Sequence, residues 1–144
     1  MNADDVPDGP LLVDTDVFSS WYRQSGRHAD FEQMAAGHDL AISFATLGEA
    51  LAPTYTAKVS AELAARIRLR LRQFVVLPFD VGVVERWAEI ATPLRESLKG
   101  KGVNDLWTAA CALSYGLPVM TNNLADFKKI RASFPELVLV HPDL

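Results

Sequence analysis

Residues 66 to 76 read RIRLRLRQFVV, an alternation of charged and apolar side chains that taken alone describes a half-buried β-strand. Over a wider window the period changes. Leu63, Ile67, Leu71 and Phe74 fall four, four and three apart, and the lead-in SAELAA is rich in helix formers. The stretch therefore reads as a helix over 60–73, with a strand beginning near Phe74. On that helix Arg66 and Arg70 flank the apolar stripe on one side, and Arg68 and Arg72 lie on the other.

With that segment helical, the rest of the chain falls into one rhythm. Short β-rich runs recur as LLV from 11, LAIS from 40, FVVL from 74, LPVM from 117 and LVLV from 137. Between them, residues 15–24, 29–36, 44–57, 60–73, 80–98, 104–115 and 124–133 carry helical patterning. Strands alternating with helices predict an α/β fold with a mostly parallel sheet of about five short strands. Pro53 and Pro93 fall inside helical patterns, where each should end or kink its helix. The turn-rich, acidic start MNADDVPDGP reads as a mobile arm over 1–10, leaving 11–144 as a single domain, with neither a signal peptide nor a membrane segment.

At 144 residues the chain is long enough to bury a core without staples. Its single cysteine, Cys111, rules out an internal disulfide framework and fits a reducing cytoplasm. A net charge of −4 argues against coating nucleic acid by bulk attraction. It leaves room for local basic patches, and residues 58–72 carry Lys58, Arg66, Arg68, Arg70 and Arg72 against one acid, Glu62.

The acids are more telling than the bases. Residues 10–22, 40–57 and 103–125 hold 54 residues, in which the chain's 22% charged content predicts about 12 charges; four occur, all acidic: Asp14, Asp16, Glu49 and Asp105. Their surroundings are otherwise core-like, so they are expected at buried or half-buried positions, where charges are normally paired or metal-bound. None of the three windows offers a Lys or Arg. Each acid also has an ordinary reading. Asp14 or Asp16 could cap a helix, Asp105 could favour a helix N-terminus, and Glu49 could be an exposed helix former. If the first and fourth strands are parallel neighbours, Asp14 and the MTNN of 120–123 both lie where strands leave the sheet at their carboxyl ends, and together the acids describe a site for a hard divalent cation such as Mg²⁺ or Mn²⁺. The glycine-rich KGKG at 99–102 could bring backbone N–H groups and Lys99 or Lys101 to a phosphate, or could simply connect two helices.

LLVDTDVFSSW, the isolated Glu49 in SFATLGEA, VNDLWTAACALSYGLPVMTNN and the following ADF resemble, in order and spacing, a PIN-domain ribonuclease, specifically a VapC-type toxin of a toxin-antitoxin pair. The resemblance runs from Leu11 to Leu144. It implies a PIN-like three-layer α/β/α fold, an Mg²⁺-dependent endoribonuclease (Mn²⁺ substituting) acting on structured tRNA or rRNA, a homodimer, and a small antitoxin partner covering the site. It further implies that Asp14, Glu49 and Asp105 are the acids of the metal site, with Thr121 the small hydroxyl residue at its edge. Asp16 stands where such toxins commonly have Asn. Asn122 and Asn123 stand where many have an acid, leaving Asp126 or Asn123 to complete the ligand set. Arg66 and Arg70, with Lys99 and Lys101, are the expected RNA contacts.

Two other readings compete. VDTDVF and VMTNN also resemble motifs of haloacid-dehalogenase-like phosphatases, in which Asp14 would be a covalent nucleophile. That reading lacks a later acidic pair and leaves Glu49 and Asp105 without a role. A non-catalytic RNA-binding or partner-binding module on the same fold is the third.

Overall fold

The computed structural model describes residues 1–94, 96–98 and 103–144. Lys99 and Lys101, expected to approach phosphate, lie outside the described residues. The elements alternate as the sequence pattern requires: β1 (Leu11–Val13), α1 (Thr15–Arg23), α2 (His28–Ala35), β2 (Leu40–Ser43), α3 (Phe44–Leu51), α4 (Ala61–Leu71), β3 (Val75–Leu77), α5 (Val81–Leu94), α6 (Val103–Tyr115), β4 (Val119–Met120), α7 (Leu124–Ser133) and β5 (Leu139–Val140). The ambiguous segment 66–76 is helix and then strand, α4 giving way to β3 through the buried Phe74.

The five strands form one parallel sheet in the order β3-β2-β1-β4-β5. β1 is central, and Leu11, Leu12 and Val13 are all fully buried, as a strand covered on both faces requires. Alternation along the strands sorts the core into two layers. Leu12, Ala41, Val119 and Leu139 face α5, α6 and α7. Leu11, Val13, Ile42, Met120 and Val140 face α1, α2 and α4. The result is the α/β/α sandwich expected. Among the described residues no helix is long and apolar enough to cross a membrane.

Two prolines set local boundaries. α3 stops at Leu51, short of the expected 57, because Pro53 enters a 3-10 turn over Ala52–Tyr55. Pro93 is tolerated in the last turn of α5, which ends one residue later at Leu94 instead of 98. Residues 1–10, expected as a mobile arm, carry a 3-10 turn at Ala3–Asp5 and bury Val6 in the second core layer. The Met1 amino group donates to the Leu144 carbonyl at 2.7 Å.

This topology gathers particular residues at one sheet edge. Val13 is paired with Met120, so Asp14 and Thr121 leave neighbouring strands side by side. Ser43 leaves β2 on the other flank of β1. Gly116, with φ +66°, makes the left-handed turn between α6 and β4, a conformation that glycine adopts without a Cβ penalty.

Candidate metal and nuclease site

Asp14 is the first residue beyond β1 and the N-cap of α1, and it is 3% exposed. One carboxylate oxygen accepts the Thr15 backbone N–H at 2.8 Å, and the other accepts the Thr121 hydroxyl at 2.9 Å. Thr121 is fully buried, and its oxygen in turn accepts the Asn123 backbone N–H at 3.0 Å. The rotamer of Asp14 is thus fixed from two elements. Burial, reinforced by the charge of Asp105, pushes its pKa up to about 7 despite those two bonds.

Asp105 projects from the first turn of α6 and is half-buried. Its pKa is pushed up to about 6, first by burial and then by the charges of Asp126, Asp16 and Glu49, against a hydrogen bond from Asn123 that favours the ionised form. That bond has a second arm. The Asn123 side-chain amide donates to Asp105 Oδ2 at 2.8 Å and to Asp126 Oδ2 at 2.9 Å. One neutral residue therefore links two acids that would otherwise repel. Asp126 also pairs with Lys129 at 3.2 Å, and its pKa is lowered, chiefly by the Asn123 bond. Replacing Asn123 by Ala removes both donors. The expected result, without metal, is a loss of about 1–2 kcal/mol and a melting temperature lower by roughly 4–8 °C, read by thermal denaturation in chelator. An unchanged melting curve would show that Asn123 does not hold the two acids together.

Glu49 departs from the expectation. Its window looked core-like, but α3 buries only Thr46 and Ala50, and Glu49 is exposed. Asp16 is exposed as well, so of the four isolated acids only Asp14 is buried and Asp105 half-buried. The reason is that α3 packs along a narrow stripe, and apolar residues such as Phe44, 48% exposed, lie off it. Glu49 still reaches the site, through hydroxyl contacts the sequence reading missed. Thr15 Oγ1 lies 3.0 Å from Glu49 Oε1 and 3.0 Å from Thr46 Oγ1, and Ser43, the N-cap of α3, accepts the Thr46 N–H at 3.2 Å. A signal was present: Thr15 directly follows Asp14, and Thr46 lies one helical turn before Glu49.

The arginines divide as the helix pattern predicts. Arg66 Nη2 donates to the Tyr22 carbonyl at 2.9 Å, and the Arg70 guanidinium lies 5.0 Å over the Trp21 ring, so both lean on α1. Arg68 instead bonds Thr54 at 3.0 Å and covers Tyr55.

The donor set has the chemistry of a hard-cation site: carboxylate oxygens in excess, two with raised pKa values, and no Lys or Arg ion-paired with Asp14, Asp105 or Glu49 among the described residues. As they stand, no three described Asp, Glu, His or Cys side chains are gathered closely enough to hold an ion.

The profile of the PIN domain family matches residues 11–132. Ribonuclease VapC5 of Mycobacterium tuberculosis is 31% identical over 114 residues, covering 78% of this chain and 82% of that protein. Ribonuclease VapC4 of the same organism is 35% identical over 92 residues, covering 61% and 69%. The structure of DNA-bound VapBC from Salmonella typhimurium superposes with a TM-score of 0.75 at 22% identity, over 92% of this chain and 98% of that one.

Proposed function

The chain belongs to the PIN-domain family as a VapC-type ribonuclease, and from that premise we propose that it is the toxin of a toxin-antitoxin pair, an Mg²⁺-dependent endoribonuclease cleaving structured RNA of the tRNA or rRNA kind. The observation that carries the reading is Asp14: a carboxylate 3% exposed, its pKa raised by burial and by Asp105, with no described basic side chain paired to it. Keeping such a group is costly unless a cation compensates it.

PIN-domain ribonucleases are generally dependent on a divalent cation. Asp14 and Asp105 would hold it, with Asp126 or Asn123 completing the set, and Mg²⁺ is the assignment we make, Mn²⁺ substituting. When bound, such an ion stabilises charge on a phosphodiester and lowers the pKa of water. The chain's own residues do the positioning. Thr121 and the Thr15 N–H lock Asp14, and Asn123 aims Asp105. Glu49, exposed and hydrogen-bonded to Thr15, orients the attacking water and accepts its proton. Asp16, exposed in the first turn of α1, adds negative charge that helps raise the pKa values of Asp14 and Asp105.

The family match sets aside the phosphatase reading, in which Asp14 would carry a covalent phosphate. Chains of the same fold solved as VapBC toxin-antitoxin complexes suit an antitoxin as the partner, and a homodimer is the assembly we assign. The test is cleavage of purified tRNA and rRNA by the isolated toxin, with Mg²⁺, with Mn²⁺ and in chelator. Cleavage only with metal is expected. RNA binding without cleavage under any of the three conditions would leave a non-catalytic module instead.

A further inference from the structure

We propose that Arg23, Lys58 and Arg66 form a phosphate track that leads an RNA strand to the carboxylate site. The proposal rests on the nuclease reading above. Two adjoining hollows lie between the end of α1, the Ala52–Tyr55 turn and α4. One, of about 690 Å³, includes Glu49, Arg23, Lys58, Pro53 and Val59 in its walls. The other, of about 430 Å³, includes Arg23, Tyr22 and Arg66. Arg23 and Leu63 border both, so the two hollows adjoin across these side chains and together make the groove of the proposal.

The charges along this groove are set for an anionic strand. Among the described residues none of Arg23, Lys58 and Arg66 is ion-paired, whereas Arg27, Arg86 and Lys129 each are. Arg66 is anchored by the Tyr22 carbonyl, an uncharged partner that leaves its cationic charge uncompensated. Of the acids lining the groove, Glu49 belongs to the reaction site and Glu62 is the other. Arg68, Arg70, Arg72, Lys128 and Arg131 are likewise outside the ion pairs among the described residues, so what sets Arg23, Lys58 and Arg66 apart is that they border the hollows that reach Glu49.

The position fixes the occupant. An endonuclease cuts inside a strand, so the strand must continue past the site, and the carboxylates there repel its phosphates. This groove begins at Glu49, one side of the proposed cleavage point. Its cations suit the backbone, and the apolar Pro53, Val59 and Leu63 suit base faces. Arg70, over Trp21, and Arg68, on Tyr55, do not border it.

The test measures binding of a fluorescein-labelled oligouridylate, long enough to span groove and site, to an Asp14→Asn background by anisotropy across a KCl series. Each of Arg23→Gln, Lys58→Gln and Arg66→Gln should flatten the slope of log affinity against log salt by about 0.7, and the triple variant by about 2, corresponding to a loss on the order of 100-fold at low salt. Arg68→Gln with Arg72→Gln should leave the slope unchanged. If Arg66→Gln unfolds through loss of its bond to Tyr22, Lys58→Gln and Arg23→Gln carry the test. Equal slopes in all variants, or equal losses in the Arg68/Arg72 pair, would overturn the track while RNA cleavage by the wild-type protein keeps the nuclease reading. Unchanged RNA binding with lost binding of an acidic peptide would reassign the groove to a protein partner. Absence of any RNA cleavage by the wild type would remove both.

Discussion

Asp14→Asn is expected to reduce metal-supported RNA cleavage by on the order of 10³-fold, about 4 kcal/mol of transition-state stabilisation, because metal-ion charge stabilisation is a contribution of several kcal/mol. The substitution preserves shape. Asn Oδ1 can still accept the Thr15 N–H, and its amide can meet the Thr121 hydroxyl where Asp14 Oδ2 now lies, so the fold should persist. Asp126→Asn should cost less, since Asp126 is already paired with Lys129 and held by Asn123. The comparison is made by initial rates on one RNA at saturating Mg²⁺, with circular dichroism as the check on folding. Wild-type rates from folded Asp14→Asn protein would end the assignment of Asp14 to the metal.

The second large effect is on stability and carries the opposite sign. In chelator, Asp14 has a pKa of about 7 in the folded chain, against about 3.9 when unfolded. Between those values the native state keeps a proton that the unfolded state has released, so raising the pH destabilises the fold. The full difference, reached above pH 7, is about 4 kcal/mol at 1.36 kcal/mol per unit. Metal-free wild-type protein should therefore become steadily more stable as pH falls from 8 to 5 in denaturant melts. Asp14→Asn should lose most of that dependence, keeping a shallower rise below about pH 6 from Asp105, whose own burial still raises its pKa, and should be more stable than wild type at pH 8. Adding Mg²⁺ should recover stability in the wild type, because the ion binds only the folded form, and should do so far less in the variant. A flat wild-type profile in chelator, or an Asp14→Asn protein that is less stable at pH 8, would contradict the account of Asp14 as a strained, uncompensated carboxylate.

What the sequence made legible follows from what is local. The four-four-three spacing of Leu63, Ile67, Leu71 and Phe74 was enough to place α4 against the competing strand pattern, and with it the whole parallel sheet. Asp14 was legible because three apolar residues run directly into it with no base nearby. Glu49 was placed in the right region but at the wrong depth: an apolar composition does not say which face of a short helix is turned inward. The Asn123 bridge was not legible at all. It depends on β4 setting Asn123 between the first turns of α6 and α7, a relation across 18 residues to Asp105 that no local pattern encodes. The hydroxyl contact from Thr15 to Glu49 spans 34 residues and is equally a product of tertiary packing.

The central place of β1 also governs when activity can arise during synthesis. Asp14 emerges early, but the Thr121 hydroxyl that fixes it lies 107 residues later, and β1 gains its second neighbour only when Val119 and Met120 can pair with it. At about 5–20 residues per second, a ribosome needs roughly 5–20 s to make that intervening stretch. Parallel pairing over so long a separation is itself slow to form. Until residue 121 has emerged a nascent chain thus lacks the hydroxyl that fixes Asp14, and that interval is time in which the proposed antitoxin could meet the folding product before the carboxylate site is assembled.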